Sequence, residues 1–306
     1  MKKILSTSTA IAFTLFLAAC GAEETAAPTP AAAPPAPVTV TPEPVEYPEE
    51  ADEVEEIAYT PTLDALREQG YFRVGVFGAT PPFGYVTAEG EFAGRDPYIA
   101  RRLAYEFFGD EDAIYFVNTT AANRIPYLLA NHVDIIVANF TVTPEREEQV
   151  DFALPYVRVA LGVVAPEDSD IETVYDLHGR DLVVTQGTTA QIYFTQNHPE
   201  VNLVVFADNT ESFAALQDGR GEAMAHDNGL LFAWAHNNEG FRIVDGNIGN
   251  QDVIAPAIRQ GEEDLLEWLN ETILALREEE FFYHVYEVTL REHFHPDTNP
   301  SDHMYN

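Results

Sequence analysis

The sequence predicts an α/β fold of two lobes joined by two crossover strands. Three observations predict it. From Leu63 to about Leu290, short apolar runs alternate with helical patterns, the order expected when strands and helices take turns along a chain. Two extended stretches, Tyr156–Val164 and Ile243 to about Ala257, interrupt that alternation and read as strands passing between lobes. The folded part, about 240 residues, is large enough for two modest lobes.

The elements follow in order. Thr62–Gln69 reads as a short helix, with Thr62 as cap and Gly70 behind it. Tyr71–Phe77 is a strand, and a loop of Gly78 to Tyr85 follows. Gly94-Arg95-Asp96-Pro97-Tyr98 leads into the helix IARRLAYEFFG. Ile114–Val117 is a strand, a helix begins at Asn123-Arg124-Ile125-Pro126, and Val133–Val137 is a buried strand. The second lobe opens at Val174–Gly179 and continues with strand Asp181–Thr185 and the helix AQIYFTQNH, capped by Thr188 and Thr189. Strand Val201–Phe206, helix Asn209–Leu216 and strand Glu222–Ala225 come next. Glu262–Arg277 is an amphipathic helix, with Leu265, Leu266, Leu269, Ile273 and Leu276 on one face, that packs back on the first lobe.

The stretch Ala138–Tyr156, ANFTVTPEREEQVDFALPY, carries the most chemistry. It releases Asn139 and two threonine hydroxyls, Thr141 and Thr143, from the end of a buried strand. Pro144 then starts a helix with Arg146 in its first turn. Hydroxyls, free helix N–H groups and one guanidinium in one place make a small-anion site. Arginine holds a carboxylate bidentately, which lysine does not. Arg124, at another helix start, has the wrong sign for the macrodipole, which is easier to explain if an anion sits beside it. Thr188 and Thr189 aim helix N–H groups at an incoming anion. Asp227 closes a strand at its C-terminal edge, where it can pair with an ammonium, and His226 beside it touches a ligand or simply lines the cleft.

TVTPEREEQVDFALPY resembles the T-[IV]-T-x-E-R…DF…PY segment of bacterial solute-binding proteins of the polar amino acid family (family 3), the extracytoplasmic receptors of ABC importers. The likeness runs from about Leu63 to Leu290. It implies the two-lobed periplasmic binding protein fold of type II, the Venus-flytrap arrangement with two hinge strands. It also implies that Arg146 binds a ligand's α-carboxylate and that Thr141 and Asp227 bind its α-amino group. Asn123-Arg124-Ile125-Pro126 resembles the helix start of aspartate and glutamate receptors, where the arginine meets a side-chain carboxylate. The Gly78–Tyr85 loop resembles the first ligand loop, with Phe83 as the aromatic that packs on substrate. Phe83 and Tyr85 read equally well as hairpin core. Arg95 and Tyr98 depart from the family's aromatic and second acid; Arg95 is read as a surface charge in preference to a ligand contact.

The expected lobes are residues 61–157 with 254–295, and 158–253, with 296–306 as a mobile tail. HFHPD at 293–297 with His303 has the irregular spacing of a non-metal segment, and neither metal nor cofactor is expected.

Before the fold come Lys2 and Lys3, an apolar Ile11–Leu17 and Leu17-Ala18-Ala19-Cys20-Gly21. Residues 1–19 read as an export signal. The boundary resembles a lipobox, which makes Cys20, the single cysteine, a lipid carrier. Residues 20–60, rich in Ala, Pro and Glu, read as a disordered tether. The chain is thereby expected to be exported and lipid-anchored, facing the periplasm or cell exterior.

The chain carries 51 acidic and 16 basic residues, a formal charge of −35. That excess argues against nucleic acid as a partner and suits a soluble surface in a salty medium. An anionic ligand approaches against this field, so its site must concentrate the few arginines. The expected function is a monomeric receptor that delivers aspartate or glutamate to the transmembrane subunits of an ABC permease. Glutamine or another polar amino acid is the runner-up. An enzyme resembling cyclohexadienyl dehydratase is the alternative class; it needs a poised carboxylic acid, for which Glu145 and Asp227 are the candidates.

Overall fold

A computed structural model describes residues 63–305. The export signal, Cys20 and the tether lie outside the described residues. The chain forms α1 (Leu63–Gln69), β1 (Phe72–Phe77), β2 (Ala79–Thr80), β3 (Gly84–Val86), β4 (Phe92–Ala93), α2 (Arg95–Phe108), β5 (Ile114–Thr119), α3 (Arg124–Leu129), β6 (Ile135–Ile136), α4 (Pro144–Glu147) and β7 (Val150–Phe152). Then come β8 (Val157–Pro166), β9 (Asp181–Thr185), α5 (Thr189–Asn197), β10 (Asn202–Phe206), α6 (Asn209–Gln217), β11 (Ala223–Asp227), α7 (Asn228–Asn237) and β12 (Phe241–Ile254). β13 (Ala257–Arg259), α8 (Glu263–Glu278) and α9 (Phe281–Thr289) close the order.

Two five-stranded sheets organise these elements, in the orders β5-β1-β6-β13-β7 and β10-β9-β11-β8-β12. Within the first sheet β1 runs parallel to β5 and β6; within the second β9 runs parallel to β10 and β11. The inner parallel strands β1, β6, β9 and β11 are largely buried apolar runs, and the outer strands β5 and β10 are partly exposed. The chain passes between sheets twice, from β7 into β8 and from β12 into β13. The two passages lie side by side, since Val157 pairs with Ile254. This is the two-lobed fold with two crossover strands.

α8 packs the stripe Leu265, Leu269, Ile273 and Leu276 into the core of the first lobe together with Phe72, Ile99 and Leu103. Burying each such side chain contributes about 1.5–3 kcal/mol. Helices α7 and α9 were not expected from the sequence. α7, NGLLFAWAHN, buries Leu230, Leu231 and Ala233 and lies against β8 and β12. Its nearly continuous apolar character hides helical periodicity.

The segment expected to be a mobile tail is packed. Met304 is fully buried and bridges to Val157. The amide of Arg158 donates to the carbonyl of His303 at 2.7 Å, and the Arg158 guanidinium donates to the carbonyls of Ser301 and Met304, each at 3.0 Å. The chain's end is therefore strapped to the start of the crossover strand β8.

Candidate functional site

The C-terminal ends of β1, β5, β6, β9 and β11 converge, the position where α/β sheets place ligands. They enclose a small cavity of about 10 Å³ lined by Phe77, Ala121, Arg124, Asn139, Thr141, Thr188, Thr189, His226 and Asp227. A larger open groove of about 730 Å³ runs between α7 and the C-terminal segment. It contains none of Arg124, Arg146 or Asp227, and the one arginine in its wall, Arg158, is committed to backbone carbonyls. The chemistry sits in the small cavity.

Among the described residues, four side-chain hydrogen bonds join the lobes around it. Asn139 Nδ2 donates to Asp227 Oδ2 at 2.6 Å. Arg146 Nη2 donates to the carbonyl of Gly187 at 3.1 Å. Asn209 Nδ2 donates to Thr80 Oγ1 at 3.0 Å, and Thr210 Oγ1 to the carbonyl of Ala79 at 3.1 Å. Gly187 is at φ 77°, and a Cβ there would come within 2.8 Å of Ala122 Cα. Only glycine permits that backbone approach between the lobes.

Arg124 is 3 % exposed and stacks over Phe140, its guanidinium carbon 4.2 Å from the ring centroid. Nη1 donates to the carbonyls of Ala138 and Asn139 at 2.7 and 3.1 Å. Nε is buried without a hydrogen-bond partner, and Arg124 makes no ion pair among the described residues. Burial, reinforced by the nearby charge of Arg146, pushes its pKa well below the usual arginine value. Arg146 donates Nη1 to the Thr141 carbonyl at 2.6 Å, and its guanidinium carbon also lies over Phe140, 4.9 Å from the ring centroid. Burial lowers its pKa to about 10, partly offset by Asp227. Asp227 favours the charge on both buried guanidinium groups, and Glu145 and Asp252 add to it at Arg146.

Asp227 accepts from Asn139 and, at 3.3 Å, from Thr189 Oγ1. His226 Nδ1 accepts from the Asp227 amide at 2.7 Å, so the ring proton sits on Nε2, which donates to Asn209 Oδ1 at 3.0 Å. Burial lowers the pKa of this histidine. Both ring nitrogens are engaged within the protein, so His226 positions Asp227 and lines the wall. Asn139 adopts φ 45°, a left-handed backbone that asparagine tolerates better than most residues.

Several expectations are corrected here. Phe83 is not a wall of this cavity. It is 3 % exposed, belongs to the first lobe's core, and lies under Arg95, whose guanidinium carbon is 4.6 Å from its ring centroid; the hairpin-core alternative describes it. Arg95 is not a surface charge. It is 2 % exposed, pairs with Asp96 at 2.7 Å and donates to Asn139 Oδ1 at 2.7 Å. Burial opposes its charge, but Asp96 and Tyr156 more than compensate and raise its pKa. Asp96 Oδ2 in turn accepts from the Asn139 amide at 2.8 Å, so the pair fixes the loop that carries Asn139. Thr188 offers less than expected: its amide donates to the Thr185 carbonyl at 3.3 Å, and its hydroxyl caps α5 by accepting from Gln191. Phe77 and Ala121, both in the cavity wall, were missed, although Phe77 ends a strand at the cleft edge.

Residues 72–288 match the family described as bacterial extracellular solute-binding proteins, family 3. The chain belongs to that family. Among relatives of this family 3 protein, a glutamine-binding protein of Geobacillus stearothermophilus is 34 % identical over 197 residues, 64 % of this chain and 75 % of the relative. The crystal structure of a cysteine-binding protein from Campylobacter jejuni is 48 % identical with a TM-score of 0.79, covering 80 % of this chain and 98 % of that one. The solute receptor for L-cysteine of Neisseria gonorrhoeae is 47 % identical, with a TM-score of 0.79 over 80 % of this chain and 100 % of its own. Among the described residues no helix is long and apolar enough to cross a membrane.

Proposed function

We propose that this family 3 protein is the receptor of an amino acid ABC importer and closes on a small polar amino acid, with L-cysteine as first candidate. The observation that carries this reading is the cavity in which buried Arg124, which makes no ion pair among the described residues, faces Asp227, with buried Arg146 bonded to Thr141 of its wall. A zwitterion complements that set. Arg146 holds the α-carboxylate with the start of α5, Thr188 and Thr189. Asp227 and Thr141 hold the α-ammonium. Contacts from both lobes make the closed form the one that ligand stabilises.

Arg124 then faces the ligand's side chain. Cysteine is supported by the two receptors at 48 % and 47 % identity, and a thiolate would satisfy Arg124. Aspartate or glutamate is the second reading, supported by the same guanidinium without a carboxylate partner. Glutamine is supported by the Geobacillus relative and by a glutamine-binding protein of Bacillus subtilis, 28 % identical over 233 residues. Binding is favoured over dehydratase chemistry: Glu145 is exposed, and hydrogen bonds from backbone and from Thr143 hold its carboxyl below the usual range, the opposite of a poised general acid.

In this reading residues 61–157 with 254–295 and residues 158–253 are the two lobes. A lipid on Cys20 and the 20–60 tether hold the monomeric receptor outside the cell membrane beside its permease. Thermal melting in the presence of each of the twenty amino acids tests the proposal. A specific rise in midpoint for cysteine, abolished in Arg146→Ala, is expected. A rise with aspartate or glutamate alone would replace cysteine by the acidic ligand; no rise with any amino acid would remove the function.

A further inference from the structure

We propose that His178, His198 and Glu200 form a binding site for a divalent transition-metal ion of the zinc type, on the second lobe at the end away from the cleft. His198 and Glu200 are two positions apart, and topology brings His178 to them. β9 and β10 pair in parallel with Asn202 opposite Asp181, so the loops that precede both strands lie side by side. The Gly179 amide donates to the Glu200 carbonyl at 2.9 Å, and the Asn202 amide to the Arg180 carbonyl at 2.9 Å. Asn202 Nδ2 adds a bond to the Gly179 carbonyl at 3.1 Å. The two loops are thereby fixed to each other by backbone before any side chain is considered.

Both imidazoles aim at one carboxylate oxygen. His178 Nε2 is 2.7 Å and His198 Nδ1 3.3 Å from Glu200 Oε1. One donor atom from each residue lies within 4.8 Å of the others. Three ligands at about 2.1 Å around a tetrahedral zinc ion sit about 3.4 Å from each other. The His198–Glu200 spacing of 3.3 Å already matches, and the exposed His178 ring is free to adjust from 2.7 Å. His198 is preset: it ends α5 and its ring packs against Phe194 and Tyr193, with centroids 5.3 and 5.6 Å away. The His178 side chain is 56 % exposed, which gives the ion an entry path and leaves a fourth position open to water. Two neutral imidazoles with one carboxylate is a borderline donor set, suited to zinc and its neighbours in preference to calcium or magnesium, which take oxygen ligands. The site lies at the opposite end of the five-residue strand β9 from the cleft, roughly 17 Å from it, so it does not belong to the amino acid pocket.

The test uses the full chain without an affinity tag, stripped with chelator and titrated with zinc chloride by calorimetry. The expected result is about one equivalent bound, with affinity weakened at least about tenfold in each of His178→Ala, His198→Ala and Glu200→Gln, since loss of a ligand costs no less than loss of a supporting residue. Amino acid binding is expected to stay unchanged in His178→Ala, whose exposed position keeps the fold intact. Zinc binding of unchanged stoichiometry and affinity in the variants, or no equivalent bound by the unaltered chain, overturns the proposal and leaves the amino acid receptor reading untouched.

Discussion

Asn139 Nδ2 donates to Asp227 Oδ2 at 2.6 Å, while Asn139 Oδ1 accepts from Arg95. One amide group therefore connects a buried ion pair of the first lobe to the cavity carboxylate of the second. Asn139→Asp keeps the acceptor for Arg95 but sets two carboxylates against each other. It is expected to weaken amino acid binding by about tenfold or more, equivalent to about 1.4 kcal/mol. Titration calorimetry with the ligand found by the melting screen reads this directly; unchanged affinity would mean the bond does not support closure.

Arg146→Lys preserves charge and loses the planar fork. In the present geometry the two Nη atoms reach the carbonyls of Thr141 and Gly187, one on each side of the cleft. A lysine ammonium cannot span both and also hold a carboxylate. The expected loss is about tenfold to 100-fold in affinity with little change in the melting midpoint of the ligand-free protein.

Arg95→Met removes the partner of Asp96, which is fully buried. Breaking a buried pair from one side costs about 3–5 kcal/mol, because the remaining charge is uncompensated. The Asn139 amide and the Tyr156 hydroxyl still donate to Asp96, so the lower end of that range is expected. Urea unfolding measures it, and a loss below about 1 kcal/mol would contradict the role assigned to Arg95.

Much of this was legible in the sequence, for identifiable reasons. Strand and helix order followed from runs such as Val133–Val137 and from the α8 stripe, because burial on one face leaves a period in the sequence. Arg124, Asn139, Thr141, His226 and Asp227 were singled out near strand ends and helix starts, and topology brings those ends to one cavity. Arg95 was misjudged because nothing local distinguishes a buried arginine from an exposed one; its partners Asn139 and Tyr156 are 44 and 61 positions away, and only Asp96 is adjacent. α7 was missed since it is apolar on most sides, and the C-terminal segment since its burial comes from pairing with Val157, far back in the chain.

Glu262 provides a pH test. It is 3 % exposed and Oε2 has no hydrogen-bond partner. Burial raises its pKa from the ordinary 4.5 to about 7, despite the bond it accepts from Arg259 at 2.8 Å. Between these values the folded protein binds more protons than the unfolded chain. Its contribution to stability is therefore present at low pH and is lost as pH rises through about 7, by up to about 3 kcal/mol. Glu262→Gln is expected to flatten the pH 5–8 stability profile and to be the more stable protein at pH 8. A profile parallel to that of the unaltered chain would show that Glu262 is ionised throughout.

The central claim is that the cavity grips both charged ends of an amino acid. It is tested most directly by calorimetry with the tightest-binding amino acid, its decarboxylated amine and its deaminated acid. The account predicts one-to-one binding of the amino acid and a loss of about 100-fold or more for each truncated compound, because Arg146 or Asp227 is then left buried without its partner. Equal binding of either truncated compound would contradict it.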